Sequence, residues 1–400
     1  MMTDSPHTPG ALATDYGLHI HFDRTEFQER QARTINEMQG RQLDGLLLFR
    51  QESMYYLTGY DTFGYVFFQC LYLGADGRMI LLTRAPDYLQ ARYTSVISDV
   101  RTWVDGPDVD PARQLQDILH SVGAQGQRLG VEWESYGLTG RSAFRLQAAL
   151  EPEFTLEDAS DLVSRLRVVK SAAELGYVRK AARLADKALG EAIALTAPHV
   201  FEGDILAAMQ GAIYRGGGDD PANEFIIGSG LGALMCRYFT GRRRLDPDDQ
   251  LTLEFAGVYR HYHACLMRTI LIGEVDPRLA GMHAAGVQAL LAAEASLAPE
   301  RPLGEVFDAH ARILDAHGHR RHRMNACGYS LGTTFAPNWM DWPMLYHGNP
   351  ITAVPGMVFF IHIIIFDAET GLAMTLGRTS LVTKNGSEPL SDAGLDLIQK

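Results

Sequence analysis

Apolar and polar positions change rhythm partway along this chain. Residues 1–24 carry no sustained pattern and are expected to form a flexible arm. Positions 26–42 repeat apolar residues at helical spacing among charges. Apolar runs follow at 45–49, 55–57, 65–68, 70–73 and 79–83, separated by turn residues such as Thr58-Gly59 and Gly74-Ala75-Asp76-Gly77. Short apolar runs bounded by turn chemistry predict strands and hairpins. Helical spacing at 111–122 and 141–150, around a strand-like 129–132, makes residues 1–160 a mixed α/β region.

A boundary is expected between 160 and 172. Ser171-Ala172-Ala173-Glu174 matches a capping box and opens an amphipathic helix to Leu195. A helix at 203–215 should end at Gly216-Gly217-Gly218. Strands are expected at 223–228, 250–258 and 264–272, helices at 277–297 and 304–317, and strands at 357–366, 371–376 and 379–383. The pattern is α+β: an arm over 1–24, a smaller α/β domain over 25–165 and a larger α+β domain over 166–400.

Composition narrows the classes. The chain has 400 residues, is 46% hydrophobic and carries a formal charge of −12. Two domains are the natural division of that length. The acidic balance argues against nucleic acid, whose phosphates require a basic face. Cys70, Cys236, Cys265 and Cys327 stand far apart with no CxxC pair, which suggests a reducing, cytoplasmic compartment. The longest apolar run, 357–366, is half the roughly 20 residues of a membrane span.

Several motifs point weakly to chemistry. His19-Ile20-His21 has the form of a barrel-strand metal motif, but the hairpins that follow favour a surface arm. His310, His317, His319 and His322 lie among arginines that would repel a cation, which suits a solvated helix end. Gly228-Ser229-Gly230-Leu231-Gly232 lacks the Lys-Ser/Thr of a phosphate loop and reads as a turn. Asn385-Gly386 reads as a hairpin turn.

Two longer stretches are more specific. The first runs from Leu251-Thr252-Leu253-Glu254-Phe255-Ala256-Gly257 through Tyr262-His263 to Arg268-Thr269. The second is Cys327-Gly328-Tyr329-Ser330-Leu331-Gly332, followed by Pro355-Gly356-Met357. With Leu166-Arg167 and Lys170-Ser171, they resemble the prolidase, aminopeptidase P and creatinase superfamily. The resemblance implies a pita-bread catalytic domain behind a smaller N-terminal domain. It also implies a homodimer in which the first domain of one subunit closes the cleft of the other, with material for that contact at Tyr55-Tyr56 and 65–68.

The metallopeptidases of that superfamily hold two divalent ions with two Asp, one His and two Glu. The matching positions here are Glu254, Cys265, Tyr329, His362 and Gly377, so none keeps its ligand type. A hard dinuclear centre needs bridging carboxylates. The resemblance therefore implies no metal and no cofactor, leaving a single soft ion on Cys265 and His362 as the residual alternative. The creatinase catalytic His falls on Arg237 and its substrate glutamates on Met267 and His362, which disfavours creatine.

The nearest likeness is to metal-free, ectoine hydrolase-like members, through Glu254-Phe255-Ala256-Gly257-Val258-Tyr259, His261-Tyr262-His263, Cys327-Gly328-Tyr329 and Leu57-Thr58-Gly59-Tyr60-Asp61. The tail around Trp339-Met340-Asp341-Trp342 and Gly377-Arg378 looks more like dimethylsulfoniopropionate lyase. The expected function is hydrolysis of a C–N bond in a small zwitterion. A lyase and a peptide-binding protein that lost its metal are the alternatives. Glu254 is the expected nucleophile, with His263 or Tyr262 moving protons. Tyr60, Asp61, Arg237, Cys265, Tyr329, Trp339 and His362 are the expected substrate contacts. Arg237, Arg268 and Arg378 are the candidate arginines for a carboxylate, and Tyr60, Trp339 and Trp342 suit a cationic ring. Arg268 is assigned to the strand framework.

Overall fold

The computed structural model describes residues 17–235, 237 and 241–400. Two compact units divide between Ser160 and Asp161.

Unit 1 begins with α1 (Arg24–Gly40), β1 (Gly45–Leu48), α2 (Gln51–Thr58), β2 (Cys70–Gly74) and β3 (Met79–Arg84). It continues with α3 (Tyr88–Thr94), β4 (Asp99–Trp103), α4 (Pro111–Ser121), β5 (Arg128–Val131), α5 (Gly140–Leu150) and β6 (Thr155–Asp158). Among the described residues these strands form a six-stranded sheet in the order β4-β3-β2-β1-β5-β6. Parallel pairing of β1 with β5 and of β5 with β6 gives it α/β character. Leu47, Tyr72, Leu82 and Val131 pack with Leu115, Leu119, Leu146 and Leu150 of α4 and α5.

Three expectations change here. Residues 55–57 belong to helix α2 rather than a strand: the segment is buried on every side, so no amphipathic pattern marks it, and Gly59 caps it in the left-handed region at φ 81°. Tyr55 and Tyr56 are accordingly core residues. The run 65–68 is a short 3₁₀ turn and a bend. Much of the expected arm 1–24 lies outside the described residues, but its end is tied down. The His19 N–H donates to Tyr93 O at 2.8 Å, His21 Nδ1 lies 2.7 Å from Tyr55 Oη, and Phe22 is buried.

Unit 2 opens with α6 (Leu162–Arg167), α7 (Ala172–Leu195) and α8 (Glu202–Arg215), then β7 (Ile226–Ser229), β8 (Asp249–Tyr259) and β9 (Tyr262–Ile272). Next come α9 (Arg278–Ser296), α10 (Gly304–Ala316), β10 (Ala326–Ser330) and β11 (Asp341–Tyr346). It closes with β12 (Val358–Asp367), β13 (Leu372–Thr383), β14 (Gly386–Pro389) and β15 (Ile398–Gln399). The sheet path is β11-β10-β12-β13-β9-β8-β7, with β14 on β13 and β15 on β9. The two strands expected at 371–376 and 379–383 are one continuous β13.

The capping box of α7 is closed in both directions: Glu174 N–H donates to Ser171 Oγ at 3.3 Å and Ser171 N–H to Glu174 Oε2 at 2.8 Å. The helix lies close on β8 because Gly257 has no side chain. A Cβ there would stand 1.9 Å from Ala181 O. Phe359, Ile361, Ile363 and Ile365 pack with α9 and α10, so Phe360 and His362 face the other side of the sheet. No described helix is long and apolar enough to cross a membrane. The sequence-predicted α+β pita-bread domain and its smaller α/β partner are both present.

Candidate active site

Glu254 projects from β8 on the face away from α7, with Thr252 and Ala256 on the same side. Its neighbours across the ladder are Ile226 on β7 and Met267 on β9. Cys265 stands opposite Ala256, one same-face step along. Tyr329 reaches Glu254 from β10, its hydroxyl 3.3 Å from Oε1. Regular alternation would put Cys327 and Tyr329 on one face. The irregular register of β10 separates them, so Cys327 enters the core under α9 and α10 and Tyr329 meets Glu254. Gly328 makes this possible, since a Cβ there would lie 2.2 Å from Phe360 O.

The His362 ring lies tilted against those of Tyr329 and Phe360, with centroids 5.7 and 5.5 Å away. Its buried Nδ1 has no hydrogen-bond partner among the described residues. Arg237 is exposed, with Nη2 4.0 Å from Met340 Sδ, and its charge reaches both Glu254 and His362. Gly377 pairs with His362 and Met267. A Cβ on it would meet Ile361 O at 2.8 Å. The positions expected to descend from a metal site thus converge on one patch of sheet.

Charge in this patch is scarce. Burial pushes the Glu254 carboxyl up to about 7, against the pull of Tyr329 and Arg237. Burial raises the Cys265 thiol well above its ordinary value, and Glu254 adds to it. Burial likewise raises the Tyr329 hydroxyl. It pushes His362 down to about 4, helped by Arg237. Near neutrality the thiol, phenol and imidazole are therefore uncharged and Glu254 is the group that titrates.

These donors do not fit a pair of hard divalent ions. One carboxylate cannot bridge two metals, the thiol holds its proton, and no cluster of three or more His, Cys, Asp or Glu is arranged for a metal among the described residues.

Other sequence-predicted residues lie elsewhere. Tyr262 points to the helix side and donates to Glu174 Oε1 at 2.8 Å. His263 shares a face with Glu254 but pairs with Val258, four residues further along β8. Its Nε2 accepts the Ala222 N–H and its Nδ1 lies 2.9 Å from His261 O, while burial pushes it down to about 3. Tyr262 is thus on the opposite face of the sheet from Glu254, and both ring nitrogens of His263 are engaged by other partners. Trp339 is buried, and its Nε1 donates to Tyr329 Oη at 2.8 Å rather than walling a ligand. Trp342 lies under Arg165. Tyr60 is buried in unit 1, its hydroxyl near Gln69 and Thr83, and the Asp61 N–H donates to Thr94 Oγ1.

Two of the three candidate arginines are structural. Arg378 faces α9 and is held bidentately by Glu294 at 2.8 and 2.7 Å. Arg268, as expected, serves the framework, donating to the Met267 and Gly377 carbonyls. His310 is buried in α10, not solvated, so the expected histidine-rich helix end begins only beyond it.

Sequence reasoning missed Glu202. This buried carboxylate accepts the Ser229 N–H and hydroxyl and the backbone N–H groups of Arg242 and Arg243. It therefore fixes both flanks of the segment that carries Arg237. It also missed the buried bidentate pair Arg167–Asp341, which ties the start of unit 2 to β11. Neither has a local sequence signal, because the partners are distant.

Residues 176–384 match metallopeptidase family M24, and residues 30–169 match the creatinase/prolidase N-terminal domain. A hydrolase/peptidase of Sinorhizobium fredii is 27% identical, with 95% of this chain and 99% of that protein covered. The ectoine hydrolase of Halomonas elongata is 25% identical, with 96% and 99% covered. Prolidase from Thermococcus sibiricus superposes with a TM-score of 0.84 at 19% identity, covering 94% and 99% of the two chains.

Proposed function

Because the chain belongs to metallopeptidase family M24, a peptidase-fold hydrolase family acting on C–N bonds, we propose that it is a metal-independent hydrolase of a small zwitterionic solute. The substrate class is a cyclic amidine bearing a carboxylate, and ectoine is the first compound to test. The observation that carries this reading is the exchange of a ligand set for one titratable carboxylate among neutral donors, Glu254 beside Tyr329, Cys265 and His362. The 25% identity to an ectoine hydrolase supports the substrate class.

An amidinium pairs with ionised Glu254, and the solute's carboxylate pairs with Arg237. The orphaned Nδ1 of neutral His362 makes that ring a hydrogen-bonding group still awaiting a partner. An amidinium carbon is electrophilic without a Lewis acid. Glu254 Oε2 bonds to it as the C=N pair moves to one ring nitrogen. That nitrogen departs with the proton of the other, and an imidate ester remains on Glu254. Water then adds to the same carbon. One of its protons makes the amide N–H, the other goes to the freed amine, and Glu254 leaves as a carboxylate.

The test is a panel of cyclic amidines, sulfonium zwitterions and Xaa-Pro dipeptides, read by mass spectrometry after exhaustive chelation. Ring opening with gain of one water supports the proposal. An unsaturated product marks a lyase. Binding of dipeptide without turnover marks a peptide-binding protein. Strict dependence on added manganese or iron overturns metal independence. The buried free thiols of Cys70, Cys265 and Cys327 suit a reducing, cytoplasmic setting.

A further inference from the structure

We infer that Trp339 fixes the orientation of Glu254 through the Tyr329 hydroxyl, in a three-member chain where each proton has one direction. This rests on the reading of Glu254 as the reacting carboxylate. An indole nitrogen donates and cannot accept. Trp339 Nε1 lies 2.8 Å from Tyr329 Oη, so that oxygen accepts on one side and must send its own proton to another partner. The acceptor within reach is Glu254 Oε1 at 3.3 Å. Trp339 and Tyr329 are 2% and 3% exposed, which leaves no room for solvent to offer the phenol an alternative. Without the indole N–H, the phenol is free to turn and accept rather than donate.

The consequence falls on Glu254. Oε1 is occupied by the phenol, so Oε2 is the oxygen left for the amidine carbon. Trp339 touches neither substrate nor reacting atoms and is a positioning residue. Its contact also couples it to the charge on Glu254. An ionised carboxylate draws the phenol proton harder, which makes Oη a better acceptor for the indole. The groups facing Glu254 are Ile226 on β7, Met267 and Cys265 on β9, Tyr329 on β10 and the guanidinium of Arg237, and His362 on β12 lies against the Tyr329 ring. Cys265, Tyr329 and His362 stay neutral near pH 7, so ionisation of Glu254 is the event the indole would report.

The test needs no substrate, so its failure is separable from failure of the hydrolase reading. The chain has 4 tryptophans, Trp103, Trp133, Trp339 and Trp342. Full-length protein labelled with ¹⁵N-indole is titrated by NMR from about pH 5 to about pH 9. Trp339→Phe assigns its signal, and should that variant not fold, Phe at Trp103, Trp133 and Trp342 assigns it by elimination. The expected result is a Trp339 N–H resonance that moves with a midpoint of about 7 in the wild type and is flat in Glu254→Gln. A flat Trp339 signal in the wild type overturns the inference. So does a midpoint unchanged in Glu254→Gln.

Discussion

The ring of His263 receives the backbone N–H of Ala222 at 3.0 Å on Nε2, so its proton must reside on Nδ1, which points at His261 O and Thr334 Oγ1. Both nitrogens are committed to holding the chain. His263→Leu should therefore cost about 1–3 kcal/mol of stability by stranding a buried N–H. It should leave substrate affinity and the pH profile unchanged in the protein that folds. A chemical denaturation series beside a pH–rate profile checks this, and a shifted profile would return His263 to the reaction.

Glu254→Gln separates two roles. A nucleophile's loss removes kcat almost wholly, whereas an anchor's loss chiefly raises KM. The same variant tests burial of the carboxyl. The folded value of about 7 stands above the ordinary 4.5, so the unfolded chain ionises first. The folded state therefore carries no penalty below about pH 4.5, loses stability as pH rises through about 7, and bears the full cost above it. That cost is about 3 kcal/mol. Glu254→Gln should raise the melting temperature at pH 8 and change it little near pH 4.5.

Arg237 and Arg378 should behave oppositely. Arg378 is paired with Glu294 in a buried setting, and Arg378→Gln should destabilise by about 3–5 kcal/mol by leaving that carboxylate uncompensated. Arg237 is exposed and faces Glu254 and His362 by charge alone. Arg237→Gln should keep its melting temperature and raise KM for a carboxylate-bearing substrate about tenfold.

We expect a homodimer. In unit 1, Phe63, Val66 and Phe67 are exposed at 71, 46 and 45%. Large apolar residues grouped on a surface are the usual material of a partner contact. Sedimentation should give twice the chain mass at micromolar concentration, and Phe63→Asp with Phe67→Asp should shift it toward monomer. A wild-type monomer would refute the expectation.

The long elements were legible because their signals are local. The Ser171–Glu174 box, the Gly216 stop and the β8–β9 pair all carry cues within a few residues. Helix α2 was not legible, since burial on all sides erases helical periodicity. Nor was the continuity of β13, where Gly377 imitates a turn although it serves close packing. Sequence singled out Glu254, Cys265, Tyr329 and His362, which the fold brings to one face of the sheet. It grouped Tyr262 and His263 with Glu254, whereas their separation follows from the pairing of β8 with β9, which the two-residue turn Arg260-His261 sets. Trp339 illustrates the same limit: its residue type suggests a ligand wall, and its depth makes it a donor to Tyr329.

Gly377 gives the site a direction in time. Placing a carboxylate there takes more than one substitution, because the first carbon of any side chain would strike Ile361 O at 2.8 Å and crowd the His362 Cα and Phe360 ring at 3.0 Å. The backbone of β12 and the Phe360 ring would have to retreat first. Change in this patch is then steered toward positions such as exposed Arg237, where a side chain is exchanged without moving the floor.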